Sequence, residues 1–443
     1  MKIGFVSLGC PKNRCDTEVM LKELVDAGYE ITPEETDADI IVINTGAFIE
    51  SAKREAIDNI LDIAWLKKNH SLKGIVVTGC LTERYREEIL KEFPEVDAVL
   101  GVGSIHNIVE AVNEVAAGKR YSSFEDKNEV RLGGDRVLST PEYTAYIKIA
   151  EGCNNRCTYC AIPYIRGKMR SRDMDSIIAE AKDLEAIGVK ELCVVAQDTT
   201  AYGIDLYGRY ALPELLQRLV DETGIEWIRI LYCYPDKITD ELIDVMKRND
   251  RILNYIDKPL KHISDPILKK MNRKGDSACI RSVIKKLREN LPGVIIRTTF
   301  IVGFPGETQK DYNELLYFIK QTKFERAGVF AYSREEGTPA YDFTPRVPEQ
   351  KKQNRADTLM DIQLDVSSLF LRSLLGKTVK VLCEEYDPVS EVHFGRSYAD
   401  APDIDGKVYF RSEKRVAPGT FVNVKIEEML DYDVIGSVVE DNA

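Results

Sequence analysis

Residues 143–163 read YTAYIKIAEGCNNRCTYCAIP. An apolar run of strand composition ends at Ala150, and Cys153, Cys157 and Cys160 follow it with the spacing C-x3-C-x2-C. Three thiolates in so short a loop can close around an iron–sulfur cube while leaving one iron without a protein ligand. A catalytic metal needs such a vacancy for substrate or cofactor. Structural zinc, the rival reading, asks for four closed ligands, and His70, His106, His262 and His393 all lie elsewhere in the chain.

The strand before this loop opens a series. AYIKIA, ELCVVAQ, WIRILYCY, YIDKPL, VIIRTTFIVG and AGVFAYS are strand-like, and helical segments such as SIIAEAKDLEAIG separate them. Six βα units over residues 143–350 predict a partial (β/α)6 barrel with its chemistry at the strand C-termini. Upstream, IGFVSL, DIIVINT, GIVVTG and AVLGV alternate with helical stretches, among them a continuous one at ERYREEILKEF, over residues 1–120. That predicts a doubly wound α/β domain with a functional edge beyond its strand C-termini. Residues 121–142 read as a linker with a hairpin, and 351–375 as a helical connector. KTVKVLCEEY, GKVYFR and TFVNVKIEEM then predict a small all-β barrel over 376–443.

With 443 residues the chain is too long for one core. A net charge of −12 argues against a general affinity for nucleic acid, which needs basic surface. No apolar run reaches the length of a membrane span, so no membrane partner is expected. Ten cysteines without a signal-peptide core point to a reducing, cytoplasmic setting, where clustered thiols bind metal or do chemistry. Arg166, Lys168, Arg170 and Arg172 form a basic run read as a solvated loop, with contact to an anionic group as the sharper alternative.

The cysteine loop, with Tyr159 just before its third cysteine and a βα barrel around it, resembles the radical S-adenosylmethionine enzymes. The resemblance implies a 4Fe–4S cluster on Cys153, Cys157 and Cys160 whose free iron chelates S-adenosyl-L-methionine. It also implies cofactor contacts at Tyr159, Gln197, Asp198, Lys261, Arg297, Ile301, Val302, Gly303 and Phe304. The three-domain order is similar to the methylthiotransferases of that superfamily, whose tail is a TRAM domain. SLGCPKN, VAQDTTAYG, HISDPILKKM and AYSREEGTPAY look most like the branch that puts a methylthio group on the β-carbon of an aspartate in the twelfth small-subunit ribosomal protein. A low-potential donor, flavodoxin or ferredoxin, is implied as a partner. The runner-up is a tRNA adenosine methylthiotransferase. From Gly376 to Ala443 there are 14 acidic and 8 basic residues, which favours a basic protein over a phosphate backbone.

In this family three cysteines at three strand ends hold a second 4Fe–4S cluster. Cys10 and Cys80 match two of them, but the position after DIIVINT is Gly46. Three readings follow: Cys15 substitutes, two cysteines and a foreign ligand hold a labile cluster, or the site is defective and the chain is a non-catalytic ribosome-associated binding protein. Lys261 stands where the family usually has glutamine.

Overall fold

The computed structural model describes residues 1–439. Its first sheet contains β1 (Lys2–Ser7), β2 (Glu30–Thr32), β3 (Ile40–Thr45), β4 (Gly74–Gly79), β5 (Ala98–Leu100) and β6 (Tyr121–Ser123), in the order β2-β1-β3-β4-β5-β6, all parallel. β3 and β4 are buried along their whole length, as parallel strands covered by helices on both faces should be. β1 leads through Gly9 into the helix Pro11–Asp26, with Cys10 at its N-cap and proline at the first helical position. The two edge strands are too short to show in the sequence. The helix expected at ERYREEILKEF is two short helices, Cys80–Tyr85 and Glu88–Glu92, because Arg86 between them takes a positive φ of 47°. The linker forms no hairpin: β6 joins the first sheet, and the described residues from 124 to 143 contain no strand.

The second sheet begins with β7 (Thr144–Lys148). A two-residue pair, β8 (Ala150–Glu151) and β9 (Arg170–Ser171), then closes the base of the cysteine loop. The sheet continues with β10 (Glu191–Val195), β11 (Trp227–Ile230), β12 (Ile252–Asp257), β13 (Ile295–Val302) and β14 (Arg326–Ala331), giving six parallel strands in the order of the chain. Alternate residues such as Ile147, Val194 and Ile228 pack outward against the helices, and Tyr146, Cys193 and Tyr255 face inward. The helix Glu349–Leu374 runs along β14, anchored by Gln363 Nε2 donating to Phe324 O at 2.8 Å.

The last five strands, β15 (Thr378–Asp387), β16 (Val392–Ser397), β17 (Val408–Arg411), β18 (Phe421–Met429) and β19 (Val434–Val438), close a barrel in the order β15-β16-β17-β19-β18. Sequence reading found three of the five. β16 and β19 each alternate around a glycine, Gly395 and Gly436, that abuts a neighbouring carbonyl. The β16–β17 loop plugs the open side of the βα barrel. Arg326 Nη2 pairs with Asp400, Tyr255 Oη donates to Asp405 at 2.5 Å, and Arg229 Nη1 donates to Tyr398 O at 2.8 Å.

Candidate active site

The cysteine loop is held shut at its base. Gly152 has φ +76°, and a Cβ placed there would lie 2.1 Å from Lys168 O, so only glycine fits. Cys153 N donates to Gly167 O at 3.1 Å, and Thr158 N donates to Met271 O at 3.0 Å. The three sulfurs have different surroundings. Cys153 Sγ accepts from Asn155 Nδ2 at 3.5 Å. Cys157 Sγ lies 3.4 Å from Tyr234 Oη and 3.9 Å from Arg273 Nη1. Burial pushes the Cys153 and Cys160 thiols upward, and each also feels the Cys157 sulfur. A metal that replaces the protons removes that cost. Among the described residues no three His, Cys, Asp or Glu side chains gather for a single ion.

Around the loop the sequence candidates divide. Tyr159, Ile301 and Phe304 join Cys157 and Cys160 in one apolar cluster with Tyr234 and Tyr332. Gln197 Nε2 donates to Glu151 Oε1 at 2.5 Å, while its Oε1 is buried without a partner among the described residues. That orphan and the three thiols fit a cluster-bound S-adenosylmethionine whose ammonium needs an acceptor. Asp198 is fully engaged: it accepts from Asn155 Nδ2 at 2.6 Å, Thr200 Oγ1 at 2.7 Å and the Lys237 ammonium. Arg297 pairs with Asp257 at 3.0 Å and with Asp405 at 3.6 Å. Val302 points outward into the helix-side core, and the Gly303 amide donates to Glu307 Oε2 at 2.7 Å. Lys261 holds a positive φ of 74°; burial, reinforced by Arg273, lowers its ammonium to about 8.

The first sheet turns its C-terminal edge toward the barrel mouth. Cys10 keeps accessible surface although dense protein surrounds it, and Cys80 is buried. Burial acts to raise the Cys10 thiol, but Lys12 and Arg166 outweigh it and hold the thiol below its ordinary range. Arg166 Nη2 lies 3.6 Å from Cys80 Sγ and donates to Asn13 Oδ1 at 2.7 Å; its Nη1 donates to Asp16 Oδ2 at 2.6 Å and Glu151 Oε2 at 3.2 Å. The Lys12 ammonium sits 3.2 Å over the Tyr232 ring. Cys15 is elsewhere: its thiol faces Tyr146 O at 3.7 Å and Arg136 Nη1 at 3.6 Å, in the inner core of the barrel.

Sequence reading missed the buried charges that join the two edges. Asp16, Lys148, Glu151 and Arg166 form one buried network beneath both thiol groups. Glu151 is held down to about 2, because Lys148 and Arg166 overcome the burial that would raise it. The basic run is therefore solvated only at Lys168, which is exposed. Arg166 and Arg172 are buried, and Arg170 donates to Val130 O and Lys127 O at 2.7 Å each. Its every-second-residue spacing was the available signal. Tyr234, Arg273 and Lys237 carried none.

Three family models match: Uncharacterized protein family UPF0004 over residues 2–101, Radical SAM superfamily over 147–319, and TRAM domain over 375–439. The chain is similar to the ribosomal protein uS12 methylthiotransferase RimO of Desulforamulus reducens, with 49% identity over 99% of both chains. It is 47% identical to the RimO of Thermoanaerobacter sp. (strain X514), over 98% of this chain and 99% of that one. Among solved structures, the radical S-adenosylmethionine methyltransferase TsrM from Kitasatospora setae superposes with a TM-score of 0.57 at 15% identity. That match covers 76% of this chain and 74% of that one, a likeness of fold.

Proposed function

The chain belongs to the RimO family, the radical S-adenosylmethionine methylthiotransferases of ribosomal protein uS12, and from that premise we propose how its residues share the work. Cys153, Cys157 and Cys160 hold the 4Fe–4S cluster, and the observation that carries this is three thiols of one loop close enough to act on one another electrostatically. When bound, the cluster and S-adenosylmethionine supply one-electron cleavage of a sulfonium and a carbon radical that takes hydrogen from the aspartate β-carbon.

The chain's own groups prepare that chemistry. Gln197 Oε1 would offer the cofactor's ammonium an acceptor, and Lys261, beside Cys160 and Cys157, would offer its carboxylate a cation. Ile301, Phe304, Tyr159 and Tyr332 form a dry wall that keeps water from a reactive intermediate. Asp198 acts one step back: with Lys237 it fixes Asn155, which donates to Cys153. Arg297 is a structural tie to the C-terminal barrel, and Val302 a core residue. The substrate is the uS12 aspartate. The electron comes from flavodoxin or ferredoxin, and the setting is the cytoplasm, where ribosomes stand. No observation favours tRNA.

At the N-terminal edge the residues do not fit the family's three-cysteine attachment, because Gly46 has no side chain and Cys15 turns away. No step is routed through a cluster there. The test is anaerobic reconstitution with dithionite and S-adenosylmethionine. The native chain releases 5′-deoxyadenosine and a Cys157→Ser variant does not. Equal release from both would refute the assignment.

A further inference from the structure

Gly46 follows β3 and stands beside the loop that carries Cys10. A Cβ built on Gly46 would lie 3.2 Å from Gly9 Cα and 3.8 Å from Ala52 Cβ. The backbone thus still delivers position 46 to the edge where Cys10 and Cys80 meet Arg166, but glycine is packed against glycine there. Cys15 cannot take its place without unwinding the start of the helix Pro11–Asp26, since its thiol lies on the barrel side against Tyr146 and Arg136. Asp16, a buried carboxylate of that helix, is committed to Arg166 and Lys148. The Arg166 guanidinium, 3% exposed, lies 3.6 Å from Cys80 Sγ.

We propose that Cys10 and Cys80 form a cation-held two-thiol site that carries no second cubane, and that the side chain missing at Gly46 is what separates this chain from a two-cluster enzyme. The inference rests on the assignment of the first cluster to Cys153, Cys157 and Cys160. Cys10, the one exposed cysteine of the ten, is the accessible member of the pair.

The probe is ferrous iron with sulfide under argon, read as iron and acid-labile sulfide per chain. The native protein is expected to take up about four irons, the Cys153→Ala/Cys157→Ala/Cys160→Ala variant almost none, and Gly46→Cys about eight. Gly46→Ala, which adds the Cβ without a thiol, controls for the 3.2 Å contact and stays at about four. Native protein at about eight irons, with about four surviving in the triple variant and lost on adding Cys10→Ala, overturns the inference and leaves the first-cluster reading intact. Irons that survive undiminished in the triple variant overturn that reading instead. Gly46→Cys remaining at about four refutes the role given to position 46.

Discussion

Lys258, just past the end of β12, is 0% exposed, and its ammonium has no hydrogen-bond partner among the described residues. Burial is the main cause that brings it from 10.5 down to about 7, Cys279 and Cys233 on either side offering only weak opposition. Replacing it with methionine keeps the length of the side chain and removes the charge. The drop corresponds to roughly 5 kcal/mol of penalty when the amine is charged in both states. The unfolded chain keeps the proton up to about 10.5 and the folded chain gives it up near 7, so unfolding takes up a proton in that window and stability rises with pH. Below about 7 the full penalty remains. Lys258→Met is expected to stabilise the barrel by roughly 2–4 kcal/mol at pH 6.5, allowing for imperfect packing of the thioether. The advantage should shrink steadily toward pH 10. Urea unfolding followed by Trp227 fluorescence reads this, because that residue sits inside the barrel. A variant no more stable than the native chain at pH 6.5, or an advantage independent of pH, refutes the reasoning.

Three further outcomes follow from the site. Tyr234→Phe removes the hydroxyl 3.4 Å from Cys157 Sγ, so the cluster becomes harder to reduce and its midpoint in an EPR-monitored titration moves negative. Arg166→Met strands Asp16 and Glu151 beside Lys148 alone and should cost roughly 3–5 kcal/mol in thermal or urea stability. Loss of less than about 1 kcal/mol would mean that the network relaxes into solvent. Gly152→Ala forces a methyl into Lys168 O, and the variant is expected to reconstitute with far less iron than the native chain at unchanged secondary structure by circular dichroism.

How much of this was legible in the sequence depends on whether a residue acts locally. The cysteine loop, the six parallel strands and the α/β edge with Cys10 and Cys80 are written in short runs and show before any coordinates. Gly46 was visible as a departure for the same reason. The Asp16–Lys148–Glu151–Arg166 network was not, since its members come from the first helix, β7, β8 and the end of the cysteine loop and meet only after the two domains dock. Gln197 was named from its strand end, but its orphaned oxygen depends on Glu151 taking the other end of the amide. Cys15 illustrates the reverse. Its place near the start of the first helix allowed it a part in the site, and the helix turns it instead into the barrel core.

The acidic tail needs a different reading from the one its composition suggests. Of its charged residues, seven acidic and seven basic side chains are exposed among the described residues, so the free surface of the small barrel is balanced. The surplus lies in residues turned inward or half-buried. Asp400 pairs with Arg326, Asp405 with Arg297, and Glu384 with Arg396, which itself reaches Glu191 on β10. Asp400 and Asp405 work as ties to arginines of the βα barrel, and Glu384 steadies the Arg396 that crosses to Glu191; burial makes such pairs cost a great deal to break. Net charge in the tail therefore says little about phosphate repulsion, and choice between a ribosomal protein and tRNA has to come from elsewhere. The consequence is measurable: Asp400→Asn and Asp405→Asn should loosen the C-terminal barrel, seen as faster amide exchange along β16 and β17. Neither should raise affinity for tRNA. A substantial, salt-sensitive gain in tRNA binding by either variant would restore the charge argument that the inward-facing pairs remove.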